Sequence, residues 1–242
     1  MIRAALLALA LSVAATNATA ACRQALALGL DVSGSVDAKE YRAQLDGLAS
    51  ALNDPEVRAK VLQMPSAPVR LLVYEWSGPA DQHVLLPWSV LDQPPALDIA
   101  IETLRQTRRR NATPGTALGV AMTFGAQLLA QQPDCWKRTL DISGDGKSNL
   151  GPRPRDVNDQ IERSGITING LVIGADAPNM GDLRQAEISE LSAYYSAEVI
   201  LGPDAFVQTA LGYNQYTDAM KRKLLRELEG LVLSYLPPQP DR

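Results

Sequence analysis

Gln24 to Leu30 is an almost unbroken apolar run that ends in Asp31. A strand apolar on both faces belongs inside a parallel sheet covered by helices on either side. Asp37 precedes Ala38-Lys39-Glu40-Tyr41, and apolar or small residues continue at Leu45, Leu48, Ala49 and Leu52, so a helix is expected within a few residues of the strand. Strand, loop and helix make an opening βα unit, which places chemistry at the C-terminal end of the strand.

The same alternation runs on. Val69 to Trp76 and His83 to Leu86 read as strands joined by the turn-rich Ser77-Gly78-Pro79-Ala80-Asp81, a hairpin that gives one antiparallel edge, and Pro87 is expected to end its second strand. Helical spacing follows over Leu97 to Arg108, then a loop at Asn111 to Gly115 and a second helix from about Thr116 to Ala130. Thr139 to Ile142 is a short strand leading to Ser143-Gly144-Asp145-Gly146. Val157 to Arg163 reads as a helix, Ile166 to Ile173 as a strand, Ile188 to Tyr194 as a helix and Glu198 to Leu201 as a short last strand. This order predicts a doubly wound α/β fold, a mostly parallel sheet with one antiparallel edge strand and helices on both faces. Met220, Leu224, Leu228 and Leu231 or Val232 mark a closing amphipathic helix with Lys221, Arg222, Lys223 and Arg226 on its surface. It reads as a packing helix, the alternative being a docking helix for an anionic surface.

Arg3, the apolar run Ala4 to Val13 and the small residues Ala18-Thr19-Ala20 have the form of a secretory signal cut after Ala20. The run is too short for an ordinary membrane span of about 20 residues. An uncleaved anchor is the alternative. A lipidated Cys22 is disfavoured because Thr19-Ala20-Ala21-Cys22 lacks the usual Leu. The expected organisation is a signal peptide over 1–20, one domain over 21–236 and a flexible tail over 237–242, in the periplasm or secreted. With 23 Lys+Arg against 27 Asp+Glu the net charge is −4, and no long basic run favours nucleic acid. One His and two Cys exclude a Cys/His zinc cluster and leave a histidine-based triad only His83. His83, beside Val84 on a short strand, reads as structural, and Trp76, Trp88 and Trp136 as packing or rim residues.

Three segments share a chemistry: Asp31-Val32-Ser33-Gly34-Ser35 after the first strand, Gly115-Thr116-Ala117-Leu118 at a helix start, and Ser143-Gly144-Asp145-Gly146 after a later strand. Strand tips at the switch point of a doubly wound sheet converge, so Asp31, Ser33, Ser35, Thr116 and Asp145 are candidates for one site. Oxygen donors alone favour a hard cation, Mg²⁺ or Mn²⁺ with Ca²⁺ as a further candidate. Taken singly, each segment also suits a turn or a helix cap.

In these residues the chain closely resembles the von Willebrand factor A family, whose metal-ion-dependent adhesion site combines Asp-x-Ser-x-Ser with a separate Thr and a separate Asp. The resemblance covers roughly Gln24 to Leu201. It implies that the hydroxyls of Ser33, Ser35 and Thr116 contact the ion while Asp31 and Asp145 act directly or through water, leaving the cation to accept a carboxylate from a protein partner. Glu75-Trp76-Ser77-Gly78, Asp141 to Gly146 and Lys221 to Glu227 are similar to a bacterial secreted branch with no assigned function. Asp141 competes with Asp145 for the last acidic position, but alternation places it inside its strand.

Cys22 lies nine residues before Asp31 and Cys135 ten before Asp145, so parallel neighbouring strands would bring both sulfurs to one sheet end. A Cys22–Cys135 disulfide is expected in an oxidising compartment, two free thiols being the alternative. The functional expectation is a non-enzymatic binding module that uses a divalent cation to hold an acidic protein partner. The alternative is a metal-dependent phosphatase with Asp31 as nucleophile, which fits less well because Ser33 stands where such enzymes carry a second acid. A structural protein that makes no use of the metal site is a third reading.

Overall fold

The structure is a computed structural model that describes residues 22–174 and 181–229. The expected leader, the tail and Leu231 or Val232 lie outside the described residues. The strands are β1 (Cys22–Asp31), β2 (Val69–Trp76), β3 (Gln82–Leu91), β4 (Cys135–Gly144), β5 (Thr167–Ile173) and β6 (Val207–Ala210). The helices are α1 (Ala38–Asn53), α2 (Pro55–Val61), α3 (Pro94–Gln106), α4 (Leu118–Leu129), α5 (Pro154–Glu162), α6 (Gly181–Tyr194) and α7 (Tyr216–Glu229). The sheet order is β3-β2-β1-β4-β5-β6, parallel except for β3, which runs antiparallel to β2.

All ten residues of β1 are buried, as a central strand covered on both faces requires. Its alternating side chains feed two cores. Leu26, Leu28 and Leu30 pack with α1, α2, α3 and α7, while Ala25 and Ala27 face α4, α5 and the end of α6. The start of α1 is set by Asp37, whose carboxylate accepts from Lys39 N and Glu40 N while Glu40 returns a bond to Asp37 N. This capping box directs the chain back across the sheet after the β1 loop. Cys22 and Cys135 are register partners at the start of β1 and β4 and form a disulfide, with 4.3 Å between their Cα atoms.

Three expectations are corrected. Pro87 does not end β3, which runs on to Leu91. An edge strand leaves one side of its backbone unpaired, so a missing N–H is tolerated, and the pairing with β2 shifts register around Val73. Glu198 to Leu201 is not the last strand. Tyr195–Val199 form a π-helical turn that extends α6, Leu201 makes only a single bridge to Ile168, and the outer place belongs to β6. Lys223 is not on the surface of α7. Its side chain is fully buried, with Nζ 2.7 Å from Asp141 Oδ2 and 2.6 Å from Glu227 Oε1. Two carboxylates, one from β4 and one a turn later on α7, offset the desolvation of its ammonium group.

Candidate metal centre

β1 and β4 pair with Leu30 opposite Ser143. Asp31 and Gly144 therefore stand level, with Asp145 one residue beyond the end of β4. In the loop after β1, Ser33 N donates to Asp31 Oδ1 at 2.8 Å, an Asx-type turn that folds the next residues back over the strand tip. The Ser33 and Ser35 hydroxyl oxygens lie 3.2 Å apart. Ser35 Oγ donates to Asp145 Oδ1 at 2.6 Å across 110 residues of sequence. Four of the five sequence candidates thus form one bonded cluster.

The Thr116 loop approaches this cluster through its backbone, and among the described residues Thr116 itself makes no bond to the other four candidates. Gly34 N donates to Pro114 O at 3.0 Å, and a Cβ on Gly34 would stand 2.7 Å from Pro114 Cβ, so the close approach of the two loops requires glycine there. Thr116 N donates to Asn149 Oδ1 at 2.9 Å, and Thr116 O accepts from Asn149 N. The Thr116 loop is held in this way against the loop after β4. The cap position of α4 belongs to Ala117 and carries no side-chain cap; Thr116 is not there as a helix cap.

The electrostatics are those of two carboxylates short of positive charge. Asp31 is fully buried, and among the described residues its Oδ2 makes no close hydrogen bond. Burial first, and the charge of Asp145 second, push its carboxyl up to about 7, against lowering by hydrogen bonds from the Ser33 N–H and hydroxyl and from the Asp145 backbone. Burial also raises Asp145, while hydrogen bonds from Ser35 and Tyr213 pull it down. A buried carboxylate oxygen left unbonded beside a second acid is expensive. A cation offsets both costs, and hydroxyls at its other positions add no charge. The donor set therefore fits a hard divalent ion.

Asp141 takes no part in this cluster. It is buried within β4 and paired with Lys223 on the α7 face. His83 is exposed on β3, 3.4 Å from Arg110 Nη1. The Trp residues divide, Trp76 being fully buried and Trp136 51% exposed.

Three residues near the centre escaped the sequence reading. Tyr213 donates its hydroxyl to Asp145 Oδ2 at 3.3 Å. Tyr195 stands beneath the site, because a Cβ on Gly144 would lie 2.4 Å from its hydroxyl and 3.1 Å from Asp31 Oδ2. No spacing connects these tyrosines to Asp31 or Asp145. Asn149 had a signal, four residues past Asp145 at the same strand tip.

The family described as a protein of unknown function (DUF1194) matches residues 21–232. The chain belongs to the DUF1194 family. No curated protein sequence matches it. Among solved structures, this DUF1194 chain is similar to the proximal thread matrix protein 1 of the mussel byssus, with a TM-score of 0.58 at 15% identity over 86% of this chain and 48% of that one. A second structure of that mussel protein has a zinc-occupied MIDAS motif, with a TM-score of 0.59 at 16% identity over 86% and 48%. A von Willebrand factor type A protein from Catenulispora acidiphila gives 0.56 at 15% identity, over 86% and 43%. The pilus adhesin SpaC of Lactobacillus rhamnosus GG gives 0.60 at 13% identity, over 87% and 31%. The DUF1194 chain spans half or less of the length of each of these proteins. Its fold is that of von Willebrand factor A domains.

Proposed function

We propose that this chain is a binding module that holds a divalent cation at Asp31, Ser33, Ser35, Thr116 and Asp145 and uses it to take a carboxylate from a protein partner. The observation that carries this reading is the join of two distant strand tips by the Ser35 to Asp145 bond, beside a buried Asp31 oxygen that makes no close hydrogen bond among the described residues. Ser33, Ser35 and Thr116 would hold the ion through neutral oxygens, and Asp31 and Asp145 would neutralise it. When bound, the ion supplies an electrophilic position for an outside carboxylate. Mg²⁺ or Mn²⁺ suits this oxygen set, with Ca²⁺ a further candidate; the zinc-occupied motif of the mussel protein lends support to a divalent ion.

The leader-like residues 1–20 and the disulfide favour a periplasmic or secreted location. Among the described residues no helix is long and apolar enough to cross a membrane. The phosphatase reading has less support. A nucleophilic Asp31 would have to reach phosphorus from full burial, with one oxygen held by Ser33 N and the other beneath Gly144.

The test is a calorimetric titration of Mg²⁺, Mn²⁺ and Ca²⁺ into metal-stripped protein, beside Asp145→Ala and Thr116→Ala. Saturable binding by the wild type, weakened in both variants with the folded spectrum intact, is the expected result. Unchanged affinity in Asp145→Ala overturns the assignment. Metal-dependent turnover of phosphomonoesters, abolished by Asp31→Asn, would replace it with the hydrolase.

A further inference from the structure

Thr107 to Pro114 links α3 to the candidate metal centre and carries Arg108, Arg109 and Arg110 in succession. All three are exposed, and none forms a salt bridge with a described carboxylate. The segment is anchored at both ends. Arg42 Nη1 donates to Thr107 O at 2.8 Å, and Pro114 O accepts from Gly34 N inside the β1 loop. Between the anchors, Arg109 lies 5.5 Å from the centre of the Tyr41 ring. Arg110, His83, Glu75 and Val32 line one cavity of about 100 Å³, and Val32 stands between Asp31 and Ser33. The arginine rim and the metal centre are therefore neighbours on the same sheet end.

The charges give the rim a purpose, on the reading that the centre holds a divalent ion. Such an ion between two carboxylates leaves the centre formally neutral, and the whole chain is net negative. An acidic partner then meets no long-range attraction from either. Three guanidinium groups at the rim supply it, and each can hold a carboxylate through two parallel N–H bonds. The nearby acids do not cancel them by direct pairing. Asp81 accepts from Thr113 N, Asp37 caps α1, and Glu75 is buried and accepts from Tyr41 at 2.9 Å.

We propose that Arg108, Arg109 and Arg110 form a second, metal-independent contact, so that the partner presents an acidic stretch with several carboxylates along one chain rather than a single acidic residue. One carboxylate completes the metal centre while its neighbours lie along the arginine segment. The rim raises the rate of encounter and fixes the direction in which the acidic stretch crosses the site.

The test measures fluorescence anisotropy of two labelled peptides, an oligo-aspartate and a glycine peptide with one Asp, against the full chain in Mn²⁺ and in EDTA. The wild type is expected to bind the oligo-aspartate about tenfold more tightly, as a few exposed ion pairs allow. That advantage should shrink in high salt and vanish in the Arg108→Gln, Arg109→Gln, Arg110→Gln triple variant, whose Mn²⁺ affinity by calorimetry stays unchanged. A wild type without the advantage, or a triple variant that keeps it, overturns the proposal. A wild type that takes up no Mn²⁺ but loses its oligo-aspartate preference in the triple variant overturns the metal reading alone and supports the arginine contact.

Discussion

Lys223 Nζ lies 2.7 Å from Asp141 Oδ2 with neither side chain more than 1% exposed. Glu227 completes the group and also accepts from Asn169 Nδ2 at 2.7 Å. The cluster ties α7 to β4 and β5 beneath the strand whose tip carries Asp145. Removing the cation from such a group strands two buried acids. Lys223→Met is expected to lower unfolding free energy by about 3–5 kcal/mol in urea titrations run above the raised range of Asp141, where the pair is ionised. A change below about 1 kcal/mol, the range of an exposed pair, would show that the ion pair does not hold α7.

The cluster has a pH signature. Burial is the largest influence on Asp141 and pushes its carboxyl up to about 7, with Glu227 raising it further and Lys223 opposing. Between its ordinary value of 3.8 and about 7, the native state holds a proton that the unfolded chain has lost. Stability therefore falls as pH rises through that window. Asp31 acts in the same direction, whereas acids held low, such as Asp54 and Asp134, exert their effect below it. In chelator, Tm should decline from about pH 4 to about pH 7, less steeply in Asp141→Asn. A Tm that climbs across this range contradicts the sign.

Metal binding should have the opposite slope. Asp31 must be ionised to face a cation, and burial beside Asp145 holds its proton up to about 7. Mn²⁺ affinity is expected to strengthen as pH rises toward neutrality, with proton release on binding. Titrations in buffers of different ionisation enthalpy measure both. A flat profile without proton release would remove Asp31 from the binding group.

Gly144 tests the floor of the site. A methyl group there meets the buried Tyr195 hydroxyl at 2.4 Å and Asp31 Oδ2 at 3.1 Å. Gly144→Ala should cost about 1–3 kcal/mol of stability from overpacking and weaken Mn²⁺ binding as Asp31 is displaced. Wild-type Mn²⁺ affinity in a folded Gly144→Ala protein would show that the carboxylate position is not critical.

The Cys22–Cys135 bond closes a span of 113 residues between the two central strands. In the chain-entropy account its reduction should lower stability by about 4 to 5 kcal/mol. Urea titration of the Cys22→Ala, Cys135→Ala protein measures this loss, and a loss under about 1 kcal/mol would mean that the unfolded chain is already constrained.

The order of strands and helices up to β5, apart from the short α2, the two-sided burial of β1 and the approach of Asp31, Ser33, Ser35 and Asp145 were legible in the residues themselves, whereas the last strand was not. Hydrophobic periodicity and turn chemistry are local, and the parallel βα rule turns local order into a common sheet end. The Cys22–Cys135 pairing was legible for the same reason, since both cysteines start parallel neighbouring strands and stand nine and ten residues before their acids. What the sequence left open depends on contacts between segments far apart. Lys223 reads as a surface residue of an amphipathic helix until β4 brings Asp141 against it, and Pro87 reads as a strand end until β3 takes the sheet edge. Tyr213 reaches Asp145 and Tyr195 comes to lie beneath Gly144 only because the loop after β6 and a π-helical turn direct them there. Burial, charge pairing and edge position belong to the packed chain, where the cost of desolvating a group depends on which partners arrive with it.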